Sequence, residues 1–297
     1  MRFEFIADQH TKIKTFLKKH GVSKGLLAKI KYTGGAILVN DQPQNATYLL
    51  DIGDRVTIDI PAEADLTGSL EPISFPLDIV YEDDHFLAIN KPVGYASIPS
   101  SLHSSTIANF VKGYLVEQDY ENKQVHIVTR LDRDTSGVML FAKHGYAHAR
   151  LDKQLQAKLI HKRYYALVKG EGKLDAEGEI IAPIGRPADS IITRIVTKEG
   201  KYAHTSYKVV QSWGDIHLVD IQLHTGRTHQ IRVHFSHIGF PLLGDDMYGG
   251  SLECGIQRQA LHCHNLAFDN PFSAQRIDLE APLPDDFQAV ITSLTNK

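Results

Sequence analysis

Residues 130–137 read Arg-Leu-Asp-Arg-Asp-Thr-Ser-Gly, and the apolar-rich run Gly137-Val-Met-Leu-Phe-Ala-Lys143 follows at once. The string sets one carboxylate, Asp132, between two guanidinium groups, Arg130 and Arg133, ahead of hydroxyls and a glycine suited to a tight turn. The run behind it reads as a strand, and a helical stretch near 146–157 follows. A carboxylate held among cations stays ionised and fixed in place. That suits a nucleophile or base working beside an anionic polymer. Spacing alone favours a plain charged turn ahead of a strand, so the decision falls to the rest of the chain.

Working toward the N-terminus, Thr11–His20 carries Ile13, Phe16 and Leu17 at helical spacing with lysines on the other face, and Gly21 ends it. Ser23 is placed to cap a second helix bearing Leu26, Leu27 and Ile30, stopped by Gly34-Gly35. Ala36–Asp41 and Asp54–Ile60 alternate as strands. Pro61–Pro76 is acidic, contains Gly68 and Pro72, and reads as a linker. From Asp78 a new domain starts with strands at 79–81 and 86–89 and a helix near 105–117. Beyond the opening motif, strands are expected at 162–169, 202–211, 216–223 and 260–268, with a helix from about 227 to 238 closed by Gly239. Strands outnumber helices without alternating with them, which predicts an α+β fold in three parts: a module at 1–60, a linker at 61–76 and a larger domain at 77–297.

Composition bounds the function class. The 297 residues are 42% hydrophobic and 23% charged, ordinary for a soluble globular protein. No apolar run approaches the roughly 20 residues that cross a bilayer, and the N-terminus lacks a signal peptide's apolar segment. Cys254 and Cys263 are too few for a disulfide framework, so the expected location is cytoplasmic. Net charge is −3, but it is segregated: residues 1–35 and 124–170 each carry an excess of six positive charges, whereas 61–84 holds seven acids and no Lys or Arg. The two basic blocks are candidate phosphate contacts.

Three more segments of the larger domain stand out: Asn90-Lys91-Pro92 with Gly94 and Pro99, Lys162-Arg-Tyr-Tyr-Ala-Leu-Val-Lys-Gly170, and Thr225-Gly-Arg-Thr-His-Gln-Ile-Arg-Val-His234 running on to Asp245 and Tyr248-Gly249. Together with the Asp132 string, they resemble the RluA family of pseudouridine synthases across about 73–285. The N-terminal pattern, with Gly34-Gly35, Ile37-Leu-Val-Asn40 and Gly53-Asp54, resembles the small RNA-binding module of ribosomal small-subunit protein S-four, although Lys12-Ile13-Lys14 stands where that motif has Arg-Leu-Asp. The resemblance implies a central mixed, mostly antiparallel sheet flanked by helices and loops. It also implies an activity: isomerisation of uridine in RNA, by breaking N1–C1′, turning the base over and rejoining it through C5.

On that resemblance Asp132 is the essential carboxylate, attacking C1′ or taking a proton from C2′. Tyr164 stacks on the target base and can assist proton transfer. Arg232 pairs with Asp132 and keeps it ionised, and Arg130 helps open the RNA. Arg133, Lys162 and Arg163 are candidate backbone contacts, with Arg227, His229 and Gln230 supporting. Asp134 reads as a turn-stabilising side chain, and Thr129 replaces the family's usual His. The partner is RNA, ribosomal ahead of transfer RNA, with no DNA, membrane, cofactor or metal implied and a monomer as the default. Two alternatives stand beside this reading. One is a catalytically inactive ribosome-assembly factor on the same fold. The other is a metal-dependent hydrolase built on His224, His229, His234, His237, His262 and His264, though no compact ligand spacing supports it.

Overall fold

A computed structural model describes residues 1–63, 70–100, 103–252 and 254–296. Residues 1–60 build their own small core. Strands β1 (Arg2–Ile6), β2 (Ala36–Val39) and β3 (Arg55–Asp59) pair antiparallel with β3 in the middle. Helix α1 (Ile13–Lys19) buries Ile13, Phe16 and Leu17, the predicted stripe, and leaves Lys14, Lys18 and Lys19 to solvent. Its last-turn lysines complement the helix dipole. Ser23 caps α2 (Lys24–Tyr32), its Oγ accepting the Leu26 N–H at 3.1 Å.

Nine strands of the larger part belong to one sheet: β4 (Ile79–Glu82), β5 (Phe86–Lys91), β6 (Ser136–Ala142), β7 (His161–Lys169), β8 (Glu177–Ile181), β9 (His204–Trp213), β10 (Ile216–Leu223), β11 (Leu261–Asp269) and β12 (Arg276–Glu280). Short His126–Ile127 makes it ten-stranded. The order is β8-β9-β10-β7-β11-β6-β5-β4, with β12 beside β11. Its pairings are antiparallel except at one seam, where β6 runs parallel to β11 over Ser136↔His262 and Gly137↔Cys263. The class is the mixed α+β fold that the sequence predicts.

Every residue of β6 is buried, the signature of a strand covered on both faces. Met139 and Phe141 point into the main core with helix α3 (Ile107–Glu117), while Val138, Leu140 and Ala142 point into a second core under helix α4 (Gly145–Gln156). Helix α5 (Gln230–His237) seats Ile231 and Phe235 in the main core, and α6 (Asp285–Thr295) covers the sheet with Phe287, Val290 and Leu294 around Leu167 and Leu218. Among the described residues no helix is long and apolar enough to cross a membrane.

The acidic stretch expected as a linker is docked at its flanks. Its middle, 64–69, lies outside the described residues. Glu63 meets His126 at 2.6 Å and accepts the Gly145 N–H at 2.8 Å, while Ile73 and Phe75 pack on the main core. The N-terminal core also reaches across: Tyr146 of α4 belongs to it and donates from its hydroxyl to the His20 carbonyl at 2.7 Å. Composition showed the charge and the breakers but not these long-range partners.

Candidate active site

The Asp132 loop lies where the parallel seam opens, and Gly137 makes that seam possible. Its φ is +112°, and a β-carbon there would stand 2.2 Å from the Cys263 carbonyl oxygen. Behind the loop, the backbone is pinned residue by residue. Ser97 Oγ donates to the Leu131 carbonyl at 2.7 Å. The buried Lys91 ammonium donates to the carbonyls of Arg133 and Thr135 at 2.8 and 3.0 Å, and Arg258 donates to that of Asp134 at 3.1 Å. Burial pushes Lys91 down to about 7, against the pull of Asp134 and Asp132. Thr129, in the family's histidine position, is buried and accepts the Leu140 N–H at 2.9 Å. A loop held this tightly presents Asp132 in one geometry before any substrate arrives.

Asp132 is half-buried at a cleft of about 420 Å³. Its neighbours come from the far end of the chain. Arg232 Nη1 stands 3.7 Å from Asp132 Oδ2, so the expected pairing is present but long. The tight partner of Arg232 is Asp245, whose carboxylate accepts from Nε and Nη2 at 2.7 Å each in a fully buried fork. These carboxylates hold the guanidinium pKa above its ordinary value despite burial. The fork fixes the direction of the third nitrogen, which is why a buried arginine can serve a half-exposed acid. His229 Nε2 lies 4.0 Å from the same Oδ2.

Strand β7 supplies the floor. Lys162 and Tyr164 project to the cleft, and by strand alternation Arg163 and Tyr165 project away from it. Burial lowers the Lys162 pKa and, with Cys263 and Asp132, raises that of Tyr164 well above the ordinary phenol value. The Tyr164 hydroxyl meets the buried Cys263 thiol, itself pushed up to about 12. Tyr164 thus lines the cleft with its hydroxyl turned to a buried thiol.

Other expected residues separate in the same way. Arg130 is exposed at the cleft, free to reach outward. Arg133 also lines it, but its guanidinium forks onto Asp134 at 2.7–3.1 Å, so the two charges flanking Asp132 in sequence do not pair with it. Arg163 pairs with Asp220 on the opposite face, beside His264. Arg227 lines the cleft and donates to the Tyr202 carbonyl at 3.0 Å. Gln230 is buried and committed to the protein: its amide donates to His204 O and Thr205 Oγ1, and its oxygen accepts from Thr225 Oγ1 and Arg227 N. That knot holds 225–229 as a turn, so α5 begins at Gln230 and not near 227.

The histidines do not converge. His234 bonds Thr205 Oγ1 and Ala182 O, His262 bonds Ser136 Oγ and Ala281 O, His224 bonds Ser206 Oγ, and His264 stacks on Tyr165. Asp245 and Tyr248 stand against Arg232 and His229, although no role was read for them. Their only sequence signal was their place at the end of the Arg232 segment.

Residues 85–237 match the model of a family described as RNA pseudouridylate synthase. An uncharacterised RNA pseudouridine synthase of Bacillus subtilis, YjbO, is 44% identical over 281 residues, covering 94% of this chain and 98% of that one. Ribosomal large subunit pseudouridine synthase D of Pseudomonas aeruginosa is 38% identical over 249 residues, covering 79% and 77%. Among solved structures, human RNA pseudouridylate synthase domain containing 4 shares the fold at 23% identity, with a TM-score of 0.61 over 73% of this chain and 92% of that one. The matched segment spans the Asp132 loop, the Tyr164 strand and the Arg232 helix, and relatives agree along nearly the whole length: the chain belongs to the RNA pseudouridylate synthase family.

Proposed function

We propose that this RNA pseudouridine synthase acts on ribosomal RNA as a monomer in the cytoplasm, with Asp132 as the carboxylate that works on the ribose. The observation that carries the assignment is the approach of Arg232 to Asp132 Oδ2, at 3.7 Å, in a cleft that Tyr164 also lines. Asp132 attacks C1′ or removes the C2′ proton, and either route detaches uracil without oxidising it or importing a group. The freed base rests on Tyr164 while it turns. C5 then bonds C1′ as Asp132 leaves C1′ or returns the C2′ proton, the C5 hydrogen goes to solvent, and N1 takes up a proton. A base inside a stacked helix is out of reach, so the target nucleotide leaves the stack, and Arg130, exposed at the rim, takes up the space it vacates. Arg133, Lys162 and Arg227 line the same cleft and are the backbone contacts favoured by position. Ribosomal RNA is favoured over transfer RNA by the name of the Pseudomonas relative.

Residues 1–60 act as an S-four-like RNA-binding module, with Lys18, Lys24 and Lys31 on exposed helix faces as its phosphate contacts. Because Tyr146 is shared with that core, deletion is a poor test. Replacing the three lysines by glutamate is expected to weaken RNA binding and flatten its salt dependence. The assignment of Asp132 is tested by tritium release from RNA carrying 5-tritiated uridine. Wild type is expected to release label and Asp132→Asn to release none; equal release by both sinks the assignment.

A further inference from the structure

Tyr248 lies in a short 3-10 turn beneath α5, and its hydroxyl has two hydrogen-bond partners among the described residues. It accepts the Arg194 backbone N–H at 3.0 Å, and it lies 2.8 Å from His229 Nδ1. A backbone N–H can only donate, so the single hydroxyl proton is available to the imidazole. A neutral histidine that accepts at Nδ1 carries its own proton on Nε2. That Nε2 is the atom 4.0 Å from Asp132 Oδ2, the oxygen that Arg232 Nη1 also faces. The tyrosine ring makes contacts of its own. The Arg232 guanidinium carbon sits 4.9 Å from its centroid, and the imidazole stands edge-on to it at 5.7 Å. The Tyr248 carbonyl accepts from Ser236 Oγ at 2.9 Å, which ties the turn to α5. His229 itself has φ +56°, a backbone state that persists in a non-glycine residue only where the surroundings over-determine it.

We propose that Tyr248 is a positioning residue for the isomerisation. Its hydroxyl selects the His229 tautomer that presents Nε2–H to Asp132, and its ring supports Arg232. Two donors thereby converge on Oδ2 and leave Oδ1 to face the sugar. The proposal rests on Asp132 being the reacting carboxylate. The groups facing His229 are Asp132, Arg232, Arg194, Asp245 and Tyr248. Burial, with the two arginines, holds its pKa below the ordinary histidine value against the pull of the two carboxylates. A hydroxyl donating to Nδ1 further favours the neutral ring. Without it, His229 takes a second proton at higher pH, pairs more strongly with Asp132 and dulls it.

The test uses the full chain and its Tyr248→Phe variant, which keeps the ring and removes the hydroxyl. Steady-state tritium release is followed from 5-tritiated ribosomal RNA of cells lacking the gene, at varied RNA concentration and across about pH 5.5 to 8.5. The expected result is a kcat lower by about fivefold to tenfold, the worth of one net hydrogen bond. KM for RNA is unchanged, and the acid limb of the profile moves toward neutral. Nitrogen-15 spectra of the wild type are expected to show His229 as the Nε2–H tautomer. A proton on Nδ1 in the wild type, or a Tyr248→Phe variant with unchanged kcat and a superimposable pH profile, overturns this inference and leaves the function standing. No release by the wild type overturns the function itself, and this inference with it.

Discussion

Asp245→Asn tests whether the direction of Arg232, more than its charge, sustains Asp132. The Arg232–Asp245 fork is buried at both ends, with two bonds of 2.7 Å. Removing one partner of such a pair costs about 3–5 kcal/mol. Asparagine keeps one acceptor oxygen but turns an amide toward a guanidinium nitrogen, so a loss of about 2–3 kcal/mol is expected. The effect on activity comes from the other contact. At 3.7 Å the Arg232–Asp132 attraction is about 1 kcal/mol in water and about 4 at an effective dielectric of 20, and Asp132 retains 30% side-chain exposure. An intermediate value of about 2 kcal/mol corresponds to roughly thirtyfold in rate. Urea unfolding measures the first quantity, and single-turnover tritium release, well below the variant's melting temperature, the second. Arg232→Lys is expected to match the rate loss, because an ammonium cannot hold the fork and face Asp132 together. A folded Asp245→Asn enzyme with full kcat, or a loss confined to KM, refutes the reasoning.

Three further outcomes follow from other parts of the structure. His144 caps α4 by accepting the Ala147 N–H, and burial, reinforced by His85, pushes it down to about 3 from 6.5. Between those values the unfolded chain binds a proton that the native one refuses, so stability rises with pH through this window and is complete above it. About 2–3 kcal/mol is lost by about pH 4.5 in chemical denaturation, and His144→Asn, which keeps a capping acceptor, flattens that dependence. Gly137→Ala, with its new carbon 2.2 Å from Cys263 O, is expected to cost more than about 4 kcal/mol and to show as loss of soluble, folded protein. Arg163→Ala breaks a surface pair on the far face of β7, so thermal melting moves by about 1 kcal/mol or less and tritium release is unchanged.

The local parts of this fold were legible because local physics decides them. The stripe of Ile13, Phe16 and Leu17, the Ser23 cap and the strand at 216–223 each follow from a few adjacent residues, and each formed as expected. The elements that went unread depend on distant partners. Strand β8 is mostly exposed and exists because β9 pairs with it; β12 likewise lies at the margin beside β11. Nothing in the 61–76 linker announces that His126 and Gly145 wait for Glu63.

The same division runs through the site, and it shows what kind of residue sequence reading mistakes. Asp132, Tyr164 and Arg232 were singled out by resemblance, and the structure places all three at one cleft. The charges beside Asp132 in sequence do not pair with it. Arg133 turns to Asp134, and the cation that faces Asp132 comes from 100 residues away. Adjacent residues on an extended or looped backbone point apart, so sequence neighbours of a reactive group are poorly placed to serve it. Service comes instead from elements folded against it, and it is graded by burial. Asp245, with no side-chain exposure, fixes Arg232, which at 7% faces Asp132 at 30%. Rigidity therefore increases away from the substrate, from a half-exposed acid to a buried arginine to a fully enclosed carboxylate. Such an arrangement keeps Asp132 accessible while its orientation is set where water cannot compete. It also explains why Asp245 left so faint a mark in the sequence, since its role is defined wholly by what encloses it.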